Sequence, residues 1–202
     1  MIQLKHIYKC YGDKKIFTDF SMEIREKETL AVIGESGCGK TTLLRLLAGL
    51  DRDYKGQIVL QGEDVRSFAP NVRNAALVLQ EPVLWSHMTV KENILFPLSR
   101  KEWKNCRELL EKIGSGLEIG ALMNRYPDEI SGGQAKRVSL ARALASGREL
   151  LLLDEPLSNI DEETKGKILA FLKKEYVGSS TIVYVSHDME EVKNLCGRVV
   201  RL

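Results

Sequence analysis

Three glycines, a lysine and a threonine in Gly34-Glu35-Ser36-Gly37-Cys38-Gly39-Lys40-Thr41 are spaced to hold phosphate. The glycines let a loop curl so that its backbone N–H groups converge on phosphate oxygens. Lys40 adds a mobile cation for the β- and γ-phosphates of a nucleotide, and the Thr41 hydroxyl is a ligand type suited to Mg²⁺. Apolar Leu30-Ala31-Val32-Ile33 precedes the loop, and Thr42-Leu43-Leu44-Arg45-Leu46-Leu47-Ala48 follows it. A buried strand, a glycine turn and a helix in that order are what this phosphate-binding loop requires. The helix start offers further unpaired N–H groups to the same anion. Expected nucleotide contacts are Gly34, Glu35, Ser36, Gly37, Cys38, Gly39, Lys40, Thr41 and Thr42.

The second constellation is Leu150-Leu151-Leu152-Leu153-Asp154-Glu155-Pro156. Four successive leucines read as a strand buried on both faces, as in a parallel sheet. Asp154 then falls at the carboxyl end, where α/β folds bind ligands. Its carboxylate is suited to Mg²⁺, and that of Glu155 to a water attacking the nucleotide. Two adjacent acids in such a place are costly unless cations or solvent offset them.

The elements that must position these groups are legible in outline. Residues 2–8 and 16–24 alternate as short strands joined near Gly12-Asp13. Residues 40–48 form a helix stopped by Gly49. Residues 56–60 and 75–79 read as strands, the second ending at Gln80-Glu81-Pro82. Residues 89–126 are charged and helix-compatible. Within the run 101–113, Trp103, Cys106, Leu109, Leu110 and Ile113 fall at helical spacing. Helices are expected at 135–145, 161–175 and 188–195, with strands at 150–153, 180–185 and 198–202. Strands alternating with helices after the phosphate loop predict an α/β sandwich.

The chain has 202 residues, enough for one substantial core. Thirty Lys+Arg against 28 Asp+Glu give a net charge of +2, so no general field for nucleic acid is expected. Cys10, Cys38, Cys106 and Cys196 form no C-x-x-C pair and no zinc spacing. Reduced, cytosolic thiols account for them. Met1-Ile2-Gln3-Leu4-Lys5-His6-Ile7 lacks a signal-peptide core, and the apolar runs are short of a membrane span. The chain stops soon after its last motif, so no accessory domain is expected.

In combination and order, these motifs resemble the ATP-binding cassette (ABC) ATPase family over nearly the whole chain. Tyr11 stands where that family places an adenine-stacking aromatic, and Gln80 where a glutamine ends a core strand. Ser131-Gly132-Gly133-Gln134 matches the signature motif, preceded by Ile130 in place of the usual leucine. Ser158-Asn159-Ile160-Asp161 matches the loop after the catalytic acid, with Asn159 and Ile160 where alanine and leucine are commoner. His187 matches the switch histidine. The residues alone leave plainer alternatives open: an aromatic turn residue, a polar strand cap, a helix N-cap and a satisfied structural histidine.

The resemblance implies a P-loop NTPase core with an N-terminal antiparallel β subdomain and an inserted α-helical subdomain. The core spans 1–82 and 147–202, and the helical part 83–146. It implies ATP and Mg²⁺, with Thr41, Gln80 and Asp154 around the metal and Glu155, His187, Lys40 and Gln80 as catalytic groups. It further implies a head-to-tail homodimer or paired ABC ATPase subunit, in which Ser131, Gly132, Gly133 and Gln134 cap the γ-phosphate held by the other copy. Residues 80–94 resemble the coupling region of bacterial importers, which receives a helix of a separate integral-membrane permease. Val83, Leu84, Trp85 and Met88 would line that groove or form a small core of the helical insert. The expected function is the ATPase subunit of a transporter, peripheral on the cytoplasmic face of the membrane, with an extracytoplasmic binding protein as a further possible partner. The alternatives are a non-transport ATPase regulating a membrane or cell-division complex, and a soluble ATP-dependent machine.

Overall fold

The computed structural model describes the backbone of all 202 residues and every side chain but that of Arg100. The N-terminal hairpin β1 (Ile2–Tyr11) and β2 (Lys14–Ile24) turns at Gly12-Asp13. With β4 (Lys55–Leu60) and β5 (Glu63–Asp64) it makes an antiparallel sheet of order β2-β1-β4-β5. Both hairpin strands run longer than their sequence alternation predicts. The cause is a series of register shifts between Leu4 and Cys10, with His6 at φ 51°. The bulges break the period of two while pairing continues, and they turn Lys9 inward.

The second sheet is parallel, in the order β6-β7-β8-β3-β9. Its strands are β3 (Thr29–Ile33), β6 (Ala75–Val78), β7 (Leu150–Asp154), β8 (Thr181–Val185) and β9 (Arg198–Arg201). The leucine run explains why β7 lies inside. Leu150 and Leu152 enter one apolar core together with Val183 and Val185. Leu151 and Leu153 enter a second core with Ile182 and Tyr184. Every side chain of β7 is buried, which contributes about 2 kcal/mol per leucine before entropy.

Helix α1 (Lys40–Ala48) packs into the first core and ends at Gly49 in the left-handed conformation. Between β6 and β7 lie α2 (Val90–Leu95), α3 (Arg100–Lys104), α4 (Arg107–Gly116) and α5 (Gly132–Ala145). The run 101–113 is therefore two helices, where its apolar spacing predicts one. Asn105 leaves the helical region at φ −113°, and buried Cys106 donates from Sγ to the Trp103 carbonyl at 2.8 Å. Trp103 Nε1 donates to the Leu95 carbonyl at 2.7 Å, tying α3 to α2. After β7 come α6 (Glu162–Glu175), capped by Asp161, and α7 (Met189–Leu195), capped by Asp188. All four cysteines are free. No helix among the described residues is long and apolar enough to cross a membrane.

Candidate nucleotide site

A parallel sheet sends the carboxyl ends of its strands to one side, and the chemistry collects there. The phosphate loop leaves β3, Gln80 follows β6, Asp154 closes β7 and His187 follows β8. These residues meet in one cleft of about 460 Å³, lined also by Tyr11, Lys14, Ile16, Thr41, Thr42 and Glu155.

Two glycines of the loop have no room for a side chain. Gly39 caps α1 at φ 115°, and a Cβ there would lie 2.8 Å from Ile16 and 3.0 Å from Phe17. At Gly34 a Cβ would come within 2.7 Å of Cys38 Sγ. Lys40 Nζ donates to the carbonyls of Gly34 and Glu35 at 2.8 and 2.9 Å, so its ammonium lies over the loop. The first turn of α1 carries no acid, leaving its N–H groups to an anion.

Asp154 is 3% exposed and accepts a 2.6 Å hydrogen bond from Thr41 Oγ1. Burial pushes its carboxyl above the ordinary value, opposed by the Thr41 hydroxyl and reinforced by the charge of Glu155. No Lys or Arg pairs with it within 4 Å among the described residues. A buried carboxylate beside a hydroxyl, with no paired cation, fits a divalent metal. No cluster of three or more His, Cys, Asp or Glu suited to a metal occurs among the described residues. A magnesium ion here would therefore draw most of its oxygens from phosphate and water.

Glu155 occupies the left-handed region at φ 46°, a conformation that costs a bulky residue energy. Its backbone N–H is held by the Val185 carbonyl at 2.9 Å. Its carboxylate is bracketed: Gln80 Nε2 donates to Oε2 at 3.1 Å, and His187 Nδ1 stands 3.4 Å from Oε1. Ser158 Oγ donates to the Glu155 carbonyl at 2.9 Å and accepts from Lys136 Nζ on α5.

Tyr11 is 45% exposed at the cleft edge. Its hydroxyl donates to Asp51 Oδ2 at 2.7 Å, and the buried Lys9 ammonium lies 4.5 Å from its ring centroid. Lys9 in turn binds Asp51 at 2.9 Å. Sequence reasoning did not find this support, because only the strand bulges bring Lys9 inside. It also missed Lys14, whose position opposite Tyr11 across a two-residue turn is the signal that could have revealed it.

Ser131, Gly132, Gly133 and Gln134 do not line this cleft. They open α5 with a capping box: Ser131 Oγ accepts from the Gln134 N–H at 3.3 Å, and Gln134 Oε1 from the Ser131 N–H at 2.9 Å.

The 83–88 segment divides. Val83 and Trp85 are exposed, whereas Leu84 packs on the second core. Trp85 lines a groove of about 330 Å³ with Val83, Phe96, Pro97 and Arg142. Asn93, fully buried, fixes this loop: its two amide hydrogens are shared among the carbonyls of Trp85, Met88 and Thr89, each 3.1 Å from Nδ2.

A phosphate loop, a buried aspartate and a bracketed glutamate at the strand ends of one parallel sheet define a P-loop NTPase fold. The chain belongs to the ABC transporter family, whose model matches residues 17–158. It is 42% identical over 205 residues to the spermidine/putrescine import ATP-binding protein PotA of Chromobacterium violaceum, covering 98% of this chain and 56% of that protein. Over 206 residues it is 38% identical to the sulfate/thiosulfate import ATP-binding protein CysA of Yersinia pseudotuberculosis, covering 98% and 57%. It is also 38% identical to the xylose/arabinose import ATP-binding protein XacJ of Haloferax volcanii, covering 98% and 53%. The chain thus spans a little over half the length of these curated relatives. The dimeric structure of MJ0796, a bacterial ABC transporter cassette, matches with a TM-score of 0.88 at 28% identity. That cassette's dimeric post-hydrolysis state, bound to ADP and Pi, matches with 0.87 at 28% identity. Both comparisons cover 100% of this chain and 94% of the other.

Proposed function

We propose that this chain binds and hydrolyses ATP to drive import through a separate membrane permease. The observation that carries the reading is the Glu155 carboxylate, held between Gln80 and His187 on a left-handed backbone, beside the Lys40 loop and Asp154. Water attacks the γ-phosphorus in line, and the bond to the β–γ bridging oxygen breaks to release ADP. Glu155 accepts the proton of that water, and Gln80 and His187 orient the carboxylate and the water. Lys40 and the loop N–H groups stabilise charge on the phosphoryl oxygens. Thr41 and Asp154 would hold a magnesium ion, which would supply further neutralisation of phosphate charge. Tyr11 offers its ring to the adenine.

Ser131 and Gly132 are exposed, with Gly133 and Gln134 half-buried behind them, which supports use of this motif by a second cassette, with each site completed across a head-to-tail dimer. The helical segment 83–146 is proposed as the subdomain that carries this motif and the Trp85 groove. That groove is proposed to receive a permease helix, which places the assembly at the cytoplasmic membrane face, with an extracytoplasmic binding protein as a further component. The relatives are named for a polyamine, an anion and a pentose at identities of 38–42%. That spread supports leaving cargo recognition to the partner subunits. The test is phosphate release from ATP by the purified chain, with Lys40→Ala and Glu155→Gln in parallel. Turnover that survives both substitutions would overturn the reading.

A further inference from the structure

His187 holds its place by little of its own. Its side chain is 74% exposed, and Glu155 Oε1 at 3.4 Å is its recorded polar neighbour. The residues on either side of it are bound tightly. Ser186 Oγ donates to Glu191 Oε2 at 2.8 Å and accepts from the Asp188 N–H at 3.0 Å. Asp188 Oδ1 caps α7 by accepting from the N–H groups of Glu190 and Glu191. Tyr184 Oη donates to the same Glu191 oxygen at 2.8 Å. Glu191 is 3% exposed.

One cation closes this network, and it comes from another element. Lys165, one turn into α6, has a side chain 11% exposed. Its Nζ lies 2.9 Å from Asp188 Oδ2, 3.0 Å from Glu162 Oε1 and 3.4 Å from Glu191 Oε1. Its backbone N–H donates to the Asp161 carbonyl at 2.9 Å, at the end of the 158–161 loop. Burial alone would pull the ammonium down, but the hydrogen bonds and charges of Asp188, Glu162 and Glu191 outweigh it and hold the pKa above the ordinary lysine value.

We infer that Lys165 is a positioning residue for the hydrolytic step, locking the 186–188 turn to α6 so that His187 stays in register with Glu155. The inference rests on the ATPase reading of the site. Neither Lys165 nor Glu191 lines the nucleotide cleft, so their effect on turnover passes through the backbone on both sides of His187. The same lysine sits in the first turn of α6, just beyond the 158–161 loop. A movement of that loop would therefore be felt at the histidine turn without any contact to nucleotide.

The experiment compares the full chain with Lys165→Met, Lys165→Arg and the pair Lys165→Met/Glu191→Gln. Steady-state hydrolysis, binding of a fluorescent ATP analogue and thermal unfolding are measured on each. Lys165→Met is expected to lower kcat by about ten- to a hundredfold, the scale of a catalytic group displaced by an ångström or less. KM and analogue affinity should stay within about twofold, because the phosphate loop is untouched. Lys165→Arg should recover most of the turnover, since it keeps a cation for the carboxylates. The pair removes the ammonium together with the buried charge it neutralises, so it should fold even if Lys165→Met does not. Its expected result is a restored melting temperature with kcat still low. Recovery of kcat along with stability, or Lys165→Met turnover within twofold of the parent, overturns the inference. Glu155→Gln run alongside separates the two failures. If it stays active, the site reading itself is lost; if it is inactive while Lys165→Met is not, only the positioning role is lost.

Discussion

Thr41 donates its hydroxyl to the buried carboxylate of Asp154 at 2.6 Å, joining the phosphate-loop helix to the inner strand β7. The contact shapes a metal site at a cost in stability. Burial raises the Asp154 carboxyl above its ordinary value, so its contribution to the metal-free fold is fully present below the unfolded value of about 4. That contribution is lost as pH rises through the higher folded value. Above that folded value the fold carries a buried charge that Asp154→Asn would remove while keeping an acceptor for Thr41. The metal-free variant should melt roughly 2–4 °C higher at pH 7, corresponding to about 1 kcal/mol in a chain of this size. The gain should shrink as pH falls toward 4, and magnesium-dependent hydrolysis should be lost. Thermal unfolding without divalent ions across pH 4–8 checks this, and a lower melting temperature at neutral pH argues against it.

Lys40→Ala should weaken ATP binding by tenfold or more. It removes the loop's cation and the two hydrogen bonds from Nζ to the carbonyls of Gly34 and Glu35. Lys40→Arg should not rescue it, because a planar fork cannot reproduce a compact ammonium over those two oxygens. Titration with a fluorescent nucleotide measures both, and an arginine variant of normal affinity would show that charge alone suffices.

Glu155→Gln keeps the size of the side chain and an oxygen for Gln80 but removes the proton acceptor. Hydrolysis should fall by about a hundredfold or more while ATP affinity holds. With hydrolysis blocked, a dimer should accumulate in ATP and magnesium. Light scattering with and without nucleotide tests this; a variant that remains monomeric counts against an ATP-closed dimer.

The phosphate loop, the leucine strand and its two acids were legible in the sequence because each rests on local pattern. Glycines that tolerate no Cβ, a lysine at a helix start and an unbroken apolar run carry their meaning within a few residues. What holds these groups was not legible. Lys9 reads as a surface lysine until bulges in β1 turn it toward Asp51, 42 positions along the chain. Glu191 reads as one of several exposed acids of a short helix, yet it is buried under Tyr184 and Ser186. The helix read across 101–113 breaks because Cys106 finds the Trp103 carbonyl, a contact that periodicity does not record. Such features depend on tertiary packing, which overrides local preference.

Ser131 tests the composite site. Because it caps α5, a bulky replacement would also remove the cap, at about 1 kcal/mol. Ser131→Asp retains a capping oxygen and sets a negative charge toward a partner's phosphate. It should fold normally, bind ATP as a monomer and fail to hydrolyse it. Mixing it with Lys40→Ala makes heterodimers in which one site carries both lesions and the other neither. Phosphate release from the mixture, with none from either parent, supports shared sites. An active Ser131→Asp homodimer would show that each chain hydrolyses alone.

Trp85 is the sharpest probe of a membrane partner. Its ring is 44% exposed and lies 5.4 Å from that of Phe96, with Val83 also exposed beside it. The loop is fixed through backbone contacts to Asn93, in which the indole takes no part. Trp85→Ser should therefore leave the fold intact, with basal ATP hydrolysis within twofold of the parent. Aromatic anchors in a groove contribute disproportionately to binding, typically 2 kcal/mol or more. A loss of that size lowers affinity for the permease by about thirtyfold, enough to abolish co-purification at micromolar concentrations. The experiment pairs co-purification with a candidate permease subunit and a basal ATPase assay on the same preparation. Unfolding of Trp85→Ser would assign the ring to the core. A folded variant that still holds the permease would move the docking site away from this groove.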